Sequence, residues 1–176
     1  MKGTHRDEGR RLVVVDLENL LGCAPELASD ACWALALTRA LEAVGFVAGR
    51  DQLVVGVGPA WVFTAAVLAP GARVVTRPGQ SGADLALCAC LEDVDLVAAR
   101  YSGVVIASGD HEFVRPMLRL LGAGVPAVVA ALPLSASTEL TYYASDTVWL
   151  ERPAHTLGAA AQVGTAAGMG AVALAA

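Results

Sequence analysis

The sequence predicts an α/β fold, a three-layer α/β/α, Rossmann-like arrangement around a mostly parallel sheet of five to six strands. Three observations lead there. Short apolar runs such as RLVVVD at 11–16 and VVIA at 104–107 have the length and β-branching of strands buried on both faces. Stretches with helical spacing alternate with them, the pattern of a parallel sheet covered on both sides. At 176 residues the chain suits one domain with room for a sizeable core.

The elements follow in order. Residues 1–10 read as a flexible arm. Arg11 to Asp16 forms the first strand. Pro25 to Val44 carries apolar residues at helical spacing (Leu27, Cys32, Leu35, Leu37, Leu41, Val44), and Gly45 closes that helix. A second strand runs from Leu53 to Val57. Pro59 suits the start of a helix reaching Leu68, and Pro70-Gly71 turns the chain into a third strand, Ala72 to Thr76. The loop Arg77-Pro78-Gly79-Gln80-Ser81-Gly82 leads to Asp84 and one long helix, Leu85 to Ala99. The fourth strand enters Ser108-Gly109-Asp110, a turn with a capping residue, followed by a helix ending near Gly122. Val125 to Ala131 is the fifth strand, Ser135 to Ala144 a short helical segment and Thr147 to Leu150 the last strand. The folded domain is expected over residues 11–152. The uncharged Ala/Gly-rich stretch 153–176 reads as a flexible tail rather than a membrane anchor, because Ala and Gly contribute little transfer free energy.

Composition narrows the function. Net charge is −5, so there is no general basic field for nucleic acid, and any such contact must use local arginines. The four cysteines have no zinc-ligand spacing and read as reduced thiols of a cytoplasmic protein. No apolar signal-peptide core follows the polar start, and no membrane association is expected.

Acids end the strands. In parallel strands Asp16 and Asp110 leave the same edge of the sheet, and Asp84 reaches that edge from the loop after the third strand. In open α/β sheets ligands bind there. Like charges at close range raise one another's pKa, and a divalent cation held by oxygen ligands removes the conflict. An acid cluster without His or Cys partners suits Mg²⁺ or Mn²⁺ and phosphoryl chemistry. Asn19, one turn past Asp16, and Glu112, two residues past Asp110, are supporting candidates. Asp84 and Asp110 equally suit helix capping; Asp16 does so only if Leu17 begins a helix.

The ordered set VVVDLENL, GADLAL and VVIASGDHEF followed by LLGAGVPAVV resembles the NYN domain of the PIN-like nuclease superfamily, over roughly residues 10 to 152. The resemblance implies a Rossmann-like fold, an acidic metal-dependent pocket and ribonuclease activity leaving a 5′-phosphate. Asp16 and Asn19 match the family's Asp-x-x-Asn motif, Asp84 the acid heading the third helix, and Asp110 the first acid of Ser-Gly-Asp-x-Asp-Phe. The stretch ELTYYASDTVW at 139–149 resembles the closing pattern and brings in Asp146.

Two departures stand out. Glu112 replaces the usual second Asp, and Cys88 and Cys90 stand where some members carry a further helix acid. The resemblance thus implies Asp16, Asp84, Asp110 and Glu112 as ligands of Mg²⁺ or Mn²⁺, with Asn19 and Asp146 in support. Arg77 and Arg115 are candidates for holding RNA phosphates, with Arg100 and Arg119 behind them. The expected partner is RNA, single-stranded or structured, with a homodimer left open. His111 reads as an exposed first-turn residue, and Trp33, Trp61 and Trp149 as packing residues. A haloacid-dehalogenase-like phosphatase needs an Asp where Glu18 stands and a lysine after Lys2, and neither is present. A catalytically degenerate NYN-like domain that binds RNA or a protein partner is the alternative.

Overall fold

The computed structural model describes residues 9–152; the arm to residue 8 and the tail from residue 153 lie outside the described residues. Six strands form one sheet in the order β3-β2-β1-β4-β5-β6, every neighbouring pair parallel. They are β1 (Arg11–Asp16), β2 (Gln52–Gly56), β3 (Arg73–Val75), β4 (Gly103–Ala107), β5 (Ala127–Ala131) and β6 (Asp146–Trp149). The helices are α1 (Leu17–Leu21), α2 (Asp30–Ala43), α3 (Val62–Leu68), α4 (Gly82–Ala89), α5 (Val94–Arg100), α6 (Val114–Gly122) and α7 (Thr138–Tyr143). This is the three-layer, Rossmann-like fold expected from the sequence.

The strands alternate between two cores. Val13 and Val15 face a cluster with Leu17, Leu20 and Leu21 of α1, Trp33 and Leu37 of α2 and Ala65 of α3. Leu12 and Val14 face the opposite cluster, with Leu87 of α4, Val97 of α5, Met117 and Leu120 of α6 and Leu140 of α7. The inner strands β1, β2, β4 and β5 are apolar on both sides because each side is covered by helices. The connection from β3 to β4 carries the chain back past β1 and reverses the direction in which strands are added, which makes the carboxyl ends of β1 and β4 the switch point of the sheet.

Several boundaries differ from the sequence reading. The helix expected from Pro25 begins at Asp30: Pro25–Leu27 is one 3₁₀ turn, and Ser29 caps α2 by accepting a hydrogen bond from Cys32 N–H. Its end is as expected. Gly45, at φ 61, lets Phe46 N–H reach the Leu41 carbonyl and Gly45 N–H the Glu42 carbonyl, a Schellman closure. The single helix expected over 85–99 is two helices. Asp93 accepts from Leu96 N–H and starts α5 afresh, and a capping Asp competes with continued helix. Cys90 therefore ends α4 instead of lying mid-helix. Trp149, read as a packing residue, is 54% exposed, because β6 is an edge strand. Trp33 is buried as expected and stacks on the half-buried Trp61, ring centroids 5.1 Å apart.

Candidate functional site

Asp16 is the last residue of β1, 4% exposed, where the strand turns directly into α1. Leu17 does begin a helix, so Asp16 has the capping role: its Oδ1 accepts from Asn19 N–H at 3.2 Å. Its Oδ2 accepts from Ser108 Oγ at 2.9 Å. Ser108 Oγ in turn accepts from Asp110 N–H at 3.1 Å, and Asn19 Oδ1 accepts from Gly109 N–H at 3.0 Å. Two adjacent strand ends are thus tied to each other by side chains. A carboxylate so deeply buried needs these donors.

Asp84 is the third residue of α4 and 8% exposed. The loop before it is drawn tight. Gly82 packs so closely on the chain that a Cβ there would lie 1.9 Å from the Arg77 carbonyl oxygen, and Ser81 takes a left-handed φ of 54. That turn delivers the first turn of α4 beside β1. Asp16 and Asp84 come within hydrogen-bonding reach of one another. Burial pushes the Asp16 carboxyl well above the usual range, and the neighbouring charge and shared hydrogen bond of Asp84 add to it against the Asn19 and Ser108 donors. Asp84 is raised too: burial and the charges of Asp110, Glu112 and Glu18 outweigh the hydrogen bond with Asp16. Each carboxyl of the pair therefore favours its protonated form more than a lone, exposed Asp does.

The two acids open on a cavity of about 340 Å³ lined also by Glu18, Asn19, Gly58, the Gly79–Ala83 segment and Asp110. Asp110 stands at its mouth, accepting from Glu112 N–H at 2.9 Å as the cap of the His111–Phe113 turn. Among the described residues, no Lys, Arg or His lines this cavity. The donors are hard oxygens of net negative charge, which suits a divalent cation such as Mg²⁺ or Mn²⁺. Among the described residues, however, no group of three His, Cys, Asp or Glu side chains is placed to hold an ion as it stands.

The remaining expected residues do not join them. Glu112 lines a neighbouring groove with His111, whose Nε2 is 3.6 Å from its carboxylate. It is not placed as a ligand beside Asp16, although Asp84 feels its charge. Asp146 stands apart from the site. It begins β6 in register with Val128, which pairs with Val105 and, through it, Val13, three residues before Asp16, and its carboxylate accepts from Thr147 N–H. With β4 and β5 between β6 and β1, Asp146 is separated from Asp16 across the sheet as well as along it. Arg77 is exposed and outside the cavity lining; Arg115 lines the groove beside it. Arg100 ends α5, just before β4 begins, and lies at the edge opposite Asp16.

Two site residues were missed. Ser108, 0% exposed, bridges Asp16 to Asp110, and Glu18 lines the cavity while accepting from Gly58 N–H at 2.6 Å. Ser108 sits in the turn that the sequence marked, but a serine there reads simply as turn chemistry. Cys88, one turn after Asp84, is a thiol and not a ligand-ready thiolate. Burial and then Asp84, Glu112 and Asp110 push it up to about 12. The four cysteines are all unpaired, as expected.

Fold and site define a Rossmann-like α/β protein with an acidic pocket at the carboxyl edge of its sheet. No protein-family model matches the chain, and no curated protein matches it significantly. A solved structure from Vibrio parahaemolyticus RIMD 2210633, of a protein of unknown function, is similar at TM-score 0.59 and 18% identity, over 86% of this chain and 100% of that one. That likeness concerns the fold alone. Among the described residues no helix is long and apolar enough to cross a membrane.

Proposed function

We propose that this chain is a metal-dependent ribonuclease of the NYN type, hydrolysing RNA phosphodiester bonds at Asp16, Asp84 and Asp110. The observation that carries the reading is the pairing of Asp16 with Asp84: two buried carboxylates from different crossovers share a cavity that no basic side chain among the described residues lines. Such an arrangement costs stability, since each carboxyl disfavours the other's charge. A protein keeps it where a positive partner is to be bound.

Asp16, Asp84 and Asp110 are the residues that would hold Mg²⁺ or Mn²⁺, which when bound would acidify a water and stabilise charge on the leaving oxygen. The chain's own part is positioning. Asn19 N–H and Ser108 Oγ fix the orientation of the Asp16 carboxylate, the role of supporting groups around metal ligands. Asn19 clamps the turn that carries Asp110. Arg77 and Arg115, outside the acid cavity, hold the backbone phosphates that the cavity itself repels. RNA enters as single strand or loop, because a scissile phosphate must reach a recessed pocket.

The test is cleavage of end-labelled single-stranded and hairpin RNA in Mn²⁺, Mg²⁺ or EDTA, beside Asp110→Asn and Asp84→Asn variants. Metal-dependent cleavage that both variants lose supports the reading; equal cleavage by all three proteins removes it. The second reading, a degenerate domain that binds RNA or a protein partner, is favoured by the open spacing of the acids and by Asp110's engagement as a cap. RNA binding without cleavage under any metal would select it.

A further inference from the structure

A second groove, of about 560 Å³, adjoins the acid cavity and is lined by His111, Glu112, Arg115, Leu118, Arg119 and Glu139. The two are neighbours along the chain. Asp110 lines the first, the next two residues line the second, and His111 Nδ1 stands 3.1 Å from Asp110 Oδ1 at the join. Their chemistry differs. Among the described residues the acid cavity has no cationic lining, whereas the groove sets two guanidinium groups, one helical turn apart on α6, among the carboxylates of Glu112 and Glu139. Arg119 donates to the Glu92 carbonyl at 2.9 Å and also lines a neighbouring recess with Glu92, Asp93 and Asp95, which leaves the lead contact in the groove to Arg115. Leu118 lies between the arginines in sequence and is 39% exposed, giving the groove an apolar surface.

Resting on the ribonuclease reading, we propose that this groove is the subsite for the nucleotide next to the scissile bond, with Arg115 and Arg119 on its phosphate and Leu118 against its base. A guanidinium fork matches phosphate oxygens in pairs. Unstacked bases lie on apolar side chains and arginine planes. Glu112 and Glu139 are acceptors only, suited to base N–H groups, and leave the phosphate to the arginines. The volume lies in the range of pockets that enclose a small ligand, about 300–1,000 Å³. A strand running from acid cavity to groove passes from carboxylates alone to carboxylates interleaved with two guanidinium groups. The register of cleavage follows from where those guanidinium groups meet its phosphate.

The experiment is steady-state cleavage of single-stranded RNAs from two to six nucleotides long, by the wild type, Arg115→Ala and Arg115→Lys. Arg115 is exposed, so folding is not at stake, and circular dichroism checks it. With the wild type, KM falls once the substrate reaches past the scissile bond into the groove. In Arg115→Ala that gain is lost, raising KM for the longer RNAs about tenfold, the loss expected for one charge-assisted contact. The slope of log KM against log salt shrinks by about 0.7, the value for one phosphate contact on a single strand. Arg115→Lys, which keeps the charge, retains the salt slope and recovers part of KM. An unchanged length dependence in Arg115→Ala overturns the subsite while leaving the nuclease reading intact. A wild type that cleaves none of the RNAs overturns both.

Discussion

Asp84 has a neighbour of like charge and, among the described residues, no compensating cation in its cavity, so its burial is a cost that substitution should relieve. Asp84→Asn is expected to raise Tm in EDTA by a few degrees, about 2–4 °C for each 1 kcal/mol in a domain of this size, while cleavage is lost. The direction with pH follows from the raised carboxyls. The folded state keeps a proton that the unfolded chain releases near pH 4. The pair therefore favours folding most at low pH, and that advantage is lost as pH rises through the raised folded value. Metal-free wild type should lose stability over that rise, and Asp84→Asn should lose less. Scanning calorimetry of both proteins in EDTA across pH 4–8 measures the difference. Ser108 is the opposite case. Its Oγ gives to Asp16 and takes from Asp110 N–H, so Ser108→Ala leaves two buried groups short of a partner. A loss of about 1–3 kcal/mol is expected in urea unfolding, and a Ser108→Ala protein as stable as wild type would refute the bridge.

At the scale of elements, α4 is placed by the turn before it. Gly82 has no room for a methyl group against the Arg77 carbonyl, and backbone cannot yield as a side-chain tip can. Gly82→Ala should force the 77–82 loop away and carry Asp84 off its position beside Asp16. The expected cost is about 1–3 kcal/mol, as for an overpacked site, with cleavage falling further than stability alone would explain. Comparing folded fraction with activity at one temperature separates the two. The break between α4 and α5 belongs here as well. The apolar spacing continues from Leu87 through Leu91 to Val97, all buried in one cluster, so periodicity alone reads as a single helix. The Asp93 cap ends that continuity, through a local hydrogen bond that competes with the helix.

The whole molecule is also fastened at the edge far from the site. Arg11 at the start of β1 donates to the Val44 and Gly45 carbonyls after α2 and pairs with Asp51 before β2 at 2.7 Å. Burial alone would raise the Asp51 carboxyl. The hydrogen bonds of Arg11, Arg50 and Val47 overcome that and hold it well below the usual range. A depressed folded value means stability that is complete above about pH 4, the unfolded value, and is lost as pH falls through the folded one. Asp51→Asn should therefore destabilise the protein by about 1.5–3 kcal/mol at pH 7, the range for hydrogen bonds to a charged group, because both arginine partners are partly exposed. The gap to wild type should narrow below pH 4. Urea unfolding at pH 7 and pH 3 tests both statements, and a constant gap would contradict them.

Much of this fold was legible locally. Val13-Val14-Val15 and Val104-Val105-Ile106 need two apolar covers wherever they lie, and helices between parallel strands supply them. Asp16, Asp84 and Asp110 could be assigned to one edge from strand direction and helix starts alone. The tertiary structure decided what depends on neighbours distant in sequence. It placed Asp146 on the edge strand β6, level with Val13 and three strands from β1, because strand order and register are set by pairing between distant segments. It turned Glu112 into the adjoining groove and exposed Trp149 on an edge strand. It also brought Ser108 under Asp16, 92 residues away in the chain. Burial and charge on a residue's own segment are written in the sequence. The donor that satisfies it comes from another strand, and only folding brings the two together.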